Sequence, residues 1–507
     1  MDIPSRLDDI TREHGPDPVT ALRKLLVCQG GFTSDAANAI LERAADDILA
    51  LLRTAGLLVL TADATPRRYD LAPGVRESVN PDLDAHPAHF AYFEAMARAG
   101  CASGDYNQLE ANILNLEVAF EWALESGNPE SAYWLYNGCS EFLLRRADHA
   151  RNLDWLRRVG EALVDQADDY LWGAVQNSLG VAYQNMPEGS HHANLGRAIT
   201  AYQETLKFHT PDSEPTAYAV TQHNLGTAYA DLARYEDRAA NLRRAIDAYH
   251  AALQFRTPGT GPLPYAATQT SLGTAHRELA MVEDRATNLH RALAAYGQAL
   301  AHYTPETAPL DYAAAQNNLG NVYRDLAGVE ADQAADHLER AIDAYRAALT
   351  FRTPEATPLA YAATQNNLGT AYAALAKQGN EVAYLRQAVE AYEQSLRFYT
   401  PKTAPLDYAA TQNNLGTVFQ AVAKLGDRAA NLQRAVAAYQ QALNHYTPTS
   451  APLDYAKTQA NLGLAYEDAG DAATAISCWR EAERSFRETG AAEQAAMVAG
   501  WISAAGG

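Results

Sequence analysis

A Leu-Gly pair returns along this chain with a period close to 47 residues, and that beat restricts the fold more than any other feature. The glycines are Gly180, Gly226, Gly273, Gly320, Gly369, Gly416 and Gly463, at steps of 46, 47, 47, 49, 47 and 47. A Thr-Pro pair keeps the same time at Pro211, Pro258, Pro305, Pro354, Pro401 and Pro448. An aromatic stands eight positions before every glycine: Trp172, Tyr218, Tyr265, Tyr312, Tyr361, Tyr408 and Tyr455. Regular recurrence on this scale marks an array whose units bury their apolar faces only against one another. Most of the 507 residues can therefore form one elongated body, and length alone does not set the domain count.

Each unit reads as two helices, most clearly from Pro309 to Thr353. The first helix is predicted to start at Pro309, where a fixed φ and a missing N–H suit a first turn, and to carry Tyr312, Leu319, Gly320 and Tyr323. The second places Leu338, Ala341, Ile342, Tyr345, Ala348 and Leu349 at offsets 0, 3, 4, 7, 10 and 11, one apolar stripe at helical period. It is expected to stop at Thr353-Pro354, because a residue before proline is driven out of the helical region.

Leu-Gly, Tyr three residues on, then Ala, an aromatic and Ala resembles the tetratricopeptide repeat. The last copy, Leu462, Gly463, Tyr466, Ala475, Trp479 and Ala482, carries that family's spacing. Internal copies are longer: Gly226 is followed by Ala245, Tyr249 and Ala252, seven residues later than the family pattern. The resemblance covers Leu171 to about Phe486 and implies an all-α fold, a right-handed superhelix (α-solenoid). Physically, Gly on the first helix and Ala twice on the second permit close helix approach, with Leu and Tyr interdigitating between them. Ala491 to Ile502 is expected to cap the end.

Before the array, Pro18 to Val79 reads as three short helices, then strands Leu57–Leu60 and Arg67–Leu71 joined by a hairpin-like Thr61 to Pro66. Gly30-Gly31-Phe32-Thr33, Ala36-Ala37, Ile40 and Arg68-Tyr69-Asp70-Leu71 resemble the winged-helix domain of STAND-class signal-transduction ATPases. His89-Phe90, Tyr92-Phe93, Leu109-Glu110, Asn115-Leu116 and Trp122-Ala123-Leu124 are similar to the helical connector of bacterial members of that class. The class's ATPase activity is not carried over, since the chain contains no GxxxxGK[ST] phosphate loop; the chain is either part of a longer switch or a relative without the motor. The expected organisation is an N-terminal arm at 1–16, a winged-helix-like domain at 17–82, a connector at 83–166, the array at 167–488 and a cap and tail at 489–507.

Composition narrows the function. A hydrophobic share of 48% suffices for folded cores. Sixty-one acidic residues against 40 basic ones give a formal charge of −21, a field that repels duplexes and anionic membranes. The candidate recognition helix, Asp46 to Arg53, is acidic in front and apolar along its length where base reading needs exposed Arg, Asn or Gln. Cys28, Cys101, Cys139 and Cys478 lie too far apart for a zinc or disulfide framework. No apolar run reaches membrane-spanning length, and Met1 to Gly15 carries charges where a signal peptide is apolar, so a cytoplasmic protein is expected. His191-His192 lacks a third ligand and no nucleophile motif occurs, so neither catalysis, a metal nor a cofactor is expected.

Candidate binding residues lie on the first helices, which in the resembled family line the concave groove. Gln316-Asn317-Asn318, Gln365-Asn366-Asn367 and Gln412-Asn413-Asn414 precede the Leu-Gly pairs, and the Gln recurs in all seven units as Gln176, Gln222, Gln269, Gln316, Gln365, Gln412 and Gln459. Asn317, Asn366 and Asn413, with Asn321, Thr370 and Thr417 one turn on, offer donors and acceptors to an extended backbone. The opposing expectation is that such amides bond to neighbouring helices and fix repeat register, the stronger reading for the Gln. One turn past the Asn stand Gln184, Ala230, Arg277, Arg324, Ala373, Gln420 and Glu467, so Arg277 and Arg324 form a local basic spot able to clamp a carboxylate, unless Glu278 and Asp325 pair with them. A sensor or scaffold that binds a protein or peptide is expected, with self-association as a further expectation. The alternatives are a small-molecule inducer sensor of a transcription regulator and a DNA-binding regulator acting through the winged helix.

Overall fold

The computed structural model describes residues 2–61, 66–164, 169–378 and 381–506. It divides into two compact units, Met1–Tyr235 and Glu236–Gly507.

The first unit opens with α1 (Ile3–His14), in the segment read as an N-terminal arm. Asp2 caps it by accepting the Ser5 N–H at 2.9 Å. Then follow α2 (Asp17–Leu25), β1 (Phe32–Thr33), α3 (Ser34–Leu41), α4 (Asp46–Thr54), β2 (Leu58–Leu60), β3 (Arg68–Leu71) and α5 (Val75–Ser78). β3 is central, antiparallel to both neighbours, with Phe32 opposite Tyr69 and Leu58 opposite Leu71. The expected strand pair is therefore present and gains a third member; residues 62–65 of the expected hairpin lie outside the described residues. Arg68 ties this sheet to the next helices by donating to the carbonyls of Gly30 (3.1 Å) and Gly31 (3.0 Å) and to Asn112 Oδ1 (3.1 Å).

α6 (His86–Ser103), α7 (Asn107–Ala111), α8 (Ile113–Glu125), α9 (Pro129–Arg145) and α10 (His149–Leu163) pack around Phe93, Phe120 and Trp155, the last two stacked at 4.3 Å. The array begins with α11 (Asp169–Gln184), α12 (His191–Thr205) and α13 (Pro215–Leu232).

The second unit holds α14 (Arg238–Leu253), α15 (Pro262–Leu279), α16 (Arg285–Leu300), α17 (Pro309–Ala327), α18 (Ala334–Leu349), α19 (Pro358–Ala376), α20 (Glu381–Leu396), α21 (Pro405–Ala423), α22 (Arg428–Leu443), α23 (Pro452–Asp468), α24 (Ala472–Glu488) and α25 (Ala492–Ala504). α15 to α24 are successive hairpins, and α25 packs on α24 through Val498 and Ile502 as the expected cap. Proline stands at the head of each first helix, and the predicted stripe on α18 is buried at Leu338, Ala341, Ile342, Tyr345 and Ala348.

Close approach explains the repeated glycine. A Cβ on Gly320 would lie 2.6 Å from Tyr345 Cε1, and one on Gly416 would lie 2.7 Å from Tyr439 Cε1. The rings occupy the space that glycine vacates, and Tyr345 and Tyr439 are fully buried.

Helix α18 ends at Leu349, four residues ahead of the expected Thr353-Pro354 boundary. There Thr353 Oγ1 accepts the Ala356 N–H at 3.2 Å, and other Thr-Pro pairs close a fuller side-chain turn. The Thr304 N–H donates to Thr307 Oγ1 (3.2 Å), the Thr307 N–H to Thr304 Oγ1 (3.2 Å), and the Thr307 hydroxyl to the His302 carbonyl (3.3 Å). Hydroxyls that satisfy backbone groups locally compete with helix continuation. Thr257 and Thr260, and Thr400 and Thr403, repeat the device.

The added length of internal units lies between their paired helices, chiefly as an extra first turn on the second helix. α16 runs from Arg285 to reach Ala292, whereas α24 starts at Ala472, just before the equivalent Ala475. Asn288 in that turn is buried, and its Nδ2 donates to the Glu283 carbonyl at 3.0 Å, pinning the longer link.

Candidate functional site

The polar residues of the first helices form three connected rows. In the first, the asparagine three residues before the glycine, present as Asn177, Asn317, Asn366 and Asn413, reaches the following unit. Asn317 Oδ1 accepts from the Thr364 hydroxyl (3.1 Å) and Asn367 Nδ2 (3.2 Å); Asn366 Oδ1 accepts from Thr411 (3.2 Å) and Asn414 Nδ2 (3.4 Å). Asn413 Oδ1 accepts from Asn461 Nδ2 at 3.2 Å. In the first compact unit, Asn177 Oδ1 likewise accepts from Thr221 (3.3 Å) and Asn224 (3.4 Å). Asn317 is buried, while Asn366 and Asn413 are half-buried and use their side-chain oxygens in these bonds.

The second row serves the core tyrosines. Asn321 Oδ1 accepts the Tyr345 hydroxyl (2.8 Å), Thr370 accepts that of Tyr392 (3.1 Å), and Thr417 shares a bond with that of Tyr439 (3.1 Å). Burial pushes these phenols up, Tyr345 to about 12. They remain neutral donors at any ordinary pH. Gln420 joins this row to the next unit: its Oε1 accepts the Tyr439 hydroxyl (2.7 Å) and its Nε2 donates to Asp468 Oδ2 (3.3 Å).

The repeated glutamine departs from expectation. From Gln222 to Gln459 it bonds to the tyrosine four residues earlier on its own helix: Gln316 Nε2 donates to the Tyr312 hydroxyl at 3.1 Å, Gln365 to Tyr361 at 3.0 Å and Gln412 to Tyr408 at 3.1 Å. The four-residue spacing puts both groups on one face, one above the other. The Tyr455 hydroxyl passes the chain on to Glu481 Oε1 at 3.0 Å.

The two arginines converge on one carboxylate. Arg277 Nε donates to Asp325 Oδ2 at 2.7 Å across the unit boundary, and Arg324 Nη2 donates to Asp325 Oδ1 at 3.2 Å. Arg277 therefore pairs with Asp325 of the next unit, where pairing with its own neighbour Glu278 was the expectation. Arg324 Nη1 also reaches Asn367 Oδ1 at 3.5 Å. Burial opposes the Arg324 charge, but the Tyr345 phenol and Asp325 hold its pKa above the ordinary value. Asp325 thus meets two guanidiniums, while Glu278, beside Arg277 in sequence, lies 3.8 Å from Arg238.

All nine candidates thus take part in the array's own bonding. Asn317, Asn366, Asn413, Gln420, Arg277 and Arg324 join consecutive units, and Asn321, Thr370 and Thr417 hold partners within one. Asp325 was read as a partner of Arg324, but its bond to Arg277 and the part played by Asp468 were missed. Their signal was an acidic residue recurring directly after the variable position, at Asp231, Glu278, Asp325 and Asp468. Among the described residues no cluster of three or more His, Cys, Asp or Glu side chains has the arrangement to hold a metal, and no helix is long and apolar enough to cross a membrane.

No protein-family model and no curated protein matches the chain in sequence. Among solved structures, the STAND protein with a tetratricopeptide repeat sensor from Pyrococcus horikoshii aligns with 97% of this chain and 66% of its own, at 13% identity and a TM-score of 0.60. This chain thus spans just under two thirds of that protein. The C-terminal part of a TPR repeat-containing protein from Cytophaga hutchinsonii aligns with 64% of this chain and 98% of its own, at 15% identity and a TM-score of 0.37. The TPR2AB-domain:pHSP90 complex of yeast Sti1 aligns with 66% and 98%, at 15% identity and a TM-score of 0.23. Of these three, the first superposes well enough to bear on the fold, and on the fold alone: helical hairpins of the tetratricopeptide type.

Proposed function

We propose that this chain is a non-enzymatic recognition module whose first-helix face in α15 to α23 binds an extended segment of a protein. The carrying observation is the asparagine row. Its oxygens fix the spacing of successive units, which leaves the amide NH2 groups of Asn366 and Asn413 outside those bonds on a preorganised scaffold. A rigid row of donors recognises backbone carbonyls at low entropic cost. The guanidiniums of Arg277 and Arg324, gathered on the single carboxylate of Asp325, add donors of the kind that hold a carboxylate.

In this reading the N-terminal helices and three-stranded sheet are a winged-helix domain that relays or restrains the bound state within a STAND-type switch in the cytoplasm. Support for an intramolecular role comes from α4, which buries Leu49 and Leu52 and begins with Asp46 and Asp47. Such a helix lacks the charge and side chains for reading DNA.

The test is affinity capture from native cytosol with the intact chain and an Arg277→Ala, Asn366→Ala, Asn413→Ala variant, both checked by circular dichroism. A stoichiometric protein retained by the first and lost by the folded variant supports the reading. Retention by both refutes this face as the site. Retention by neither, with saturable thermal stabilisation by a metabolite, replaces the reading with a small-molecule sensor.

A further inference from the structure

One pair of positions in the array carries a different charge from unit to unit. The residue before each Thr-Pro pair is His209, Arg256, Tyr303, Arg352, Tyr399 or Tyr446. Eight positions on, in the first turn of the following first helix, stand Ala217, Pro264, Asp311, Ala360, Asp407 and Asp454 in the same order. Every tyrosine is therefore matched with an aspartate. Burial, and after it these carboxylates, push the three phenols up to about 12, so phenol and carboxylate stand near one another. The two arginines, which a carboxylate would suit better, have proline or alanine in its place.

Neither arginine finds a carboxylate elsewhere. Arg256 Nη1 donates to Thr268 Oγ1 at 3.0 Å and Arg352 Nη1 to Thr364 Oγ1 at 2.9 Å, and both threonines are fully buried. Burial holds both guanidiniums below the ordinary arginine range; among the described residues no charged group acts on Arg256, and the Tyr399 phenol alone acts on Arg352. By contrast Arg243, Arg277 and Arg428 meet Glu283, Asp325 and Asp468. A half-buried cation without a counter-charge is costly, and here it stands in a chain of net charge −21.

The head of α19 brings further groups to Arg352. Its N-cap is Thr357, where α17, α21 and α23 have Ala308, Ala404 and Ala451. The Thr357 side chain does not cap the helix, and its Oγ1 is buried without a hydrogen-bond partner. α19 has no acidic residue in its first turn, whereas α17, α21 and α23 have Asp311, Asp407 and Asp454. The N–H groups of Leu359 and Ala360 open the helix with no intrahelical acceptor, at the end that favours negative charge. α15 has Gly261 and Pro264 at the matching places, so the hydroxyl and one N–H are absent beside Arg256. We infer that the Arg352 guanidinium, the Thr357 hydroxyl and the head of α19 bind a carboxylate from outside the chain, in the place that Asp311, Asp407 and Asp454 fill in other units. The site is distinct from the amide row of Asn366 and Asn413.

The probe is sodium acetate, titrated at constant ionic strength into the intact chain carrying isotope-labelled arginine and followed by NMR. Loss of one Nε–Hε signal in Arg352→Gln, and of another in Arg256→Gln, assigns the two. The Arg352 signal should shift saturably, and the Arg256 signal should respond about tenfold more weakly or less, as expected from the missing donors. Ala360→Asp supplies the carboxylate of other units. It should move the Arg352 signal without acetate, abolish its titration and slow hydrogen exchange across α18–α19 by about threefold. N-acetyl-leucyl-aspartyl amide, copying Leu406-Asp407, separates the sources. Binding about tenfold tighter than that of acetate identifies the side chain of an acidic protein segment, and equal binding a small free carboxylate. No saturable shift of the Arg352 signal, an equal shift with chloride, or unchanged titration of the Ala360→Asp chain overturns the inference.

Discussion

Gly320→Ala tests the claim that glycine is repeated to admit a tyrosine ring. The new methyl would sit 2.6 Å from Tyr345 Cε1 and 2.8 Å from Cδ1, whereas carbon atoms prefer about 3.5 Å or more. Tyr345 is fully buried and its hydroxyl is held by Asn321 at 2.8 Å, so the ring must move by nearly an ångström and strain that bond. Overpacking costs roughly 1–3 kcal/mol and the hydrogen bond about 1, while alanine returns about 1 through helix propensity. The net loss is about 2 kcal/mol. At Gly273 the nearest ring atoms of Tyr296 are 3.0 Å away, so a smaller shift suffices and propensity nearly offsets it; the net there is about 0–1 kcal/mol. Array unfolding is not all-or-none, so the readout is hydrogen exchange of the intact chain, followed by mass spectrometry over α17–α18 and α15–α16. Amides of α17–α18 should exchange about 30-fold faster in Gly320→Ala, and those of α15–α16 less than about fivefold faster in Gly273→Ala. Tyr345→Leu added to Gly320→Ala should show favourable coupling of about 1 kcal/mol or more. Equal acceleration in the two single variants, or absence of that coupling, refutes the packing argument.

Asp325→Ala strips the shared carboxylate from Arg277 and Arg324 and should destabilise α17 by about 2–3 kcal/mol, less than for a fully buried pair because Arg277 keeps some solvent; Arg277→Ala should cost about 1. Local hydrogen exchange measures both, and equal effects would show that Asp325 does not serve two partners. Burial lowers the His89 pKa from 6.5 to about 4, outweighing the opposing contact with Asn115. The unfolded chain therefore binds the proton first, and stability present above pH 6.5 is lost as pH falls toward 4, by up to about 3 kcal/mol. Melting curves of His89→Leu across pH 4 to 7 should be flatter than wild type, and parallel curves would remove His89 as the cause. Burial also pushes the Cys28 and Cys139 thiols up to about 12, while Cys101 is exposed. A disulfide-exchange reagent at pH 8 should label Cys101 within minutes and the other two only on unfolding; prompt labelling of Cys139 would contradict its burial.

The period of the array, the proline starts of the first helices and the stripe on α18 were legible in sequence, because each follows from one helix's own geometry. Leu338, Ile342 and Tyr345 face inward at any arrangement of neighbours that buries a stripe. The strand pair around Tyr69 was equally visible, whereas the two-residue β1 was too short to carry an alternating pattern. The early end of α18 was not legible, because the turn that follows it depends on Thr353 Oγ1 accepting the Ala356 N–H.

Residue types alone did not settle the polar rows. Gln316 and Tyr312 are four apart and could be paired from sequence by helix period, yet whether that glutamine reaches outward or back depends on what stands beside it. Asn317 meets Thr364 and Asn367, and Arg277 meets Asp325 rather than the adjacent Glu278, because the stagger of one hairpin on the next sets which side chains come within 3 Å. Sequence by itself determined the unit and its core, since those are periodic within one helix; tertiary structure decided the partners of the polar side chains, since those depend on distances between helices that no periodicity along one chain contains.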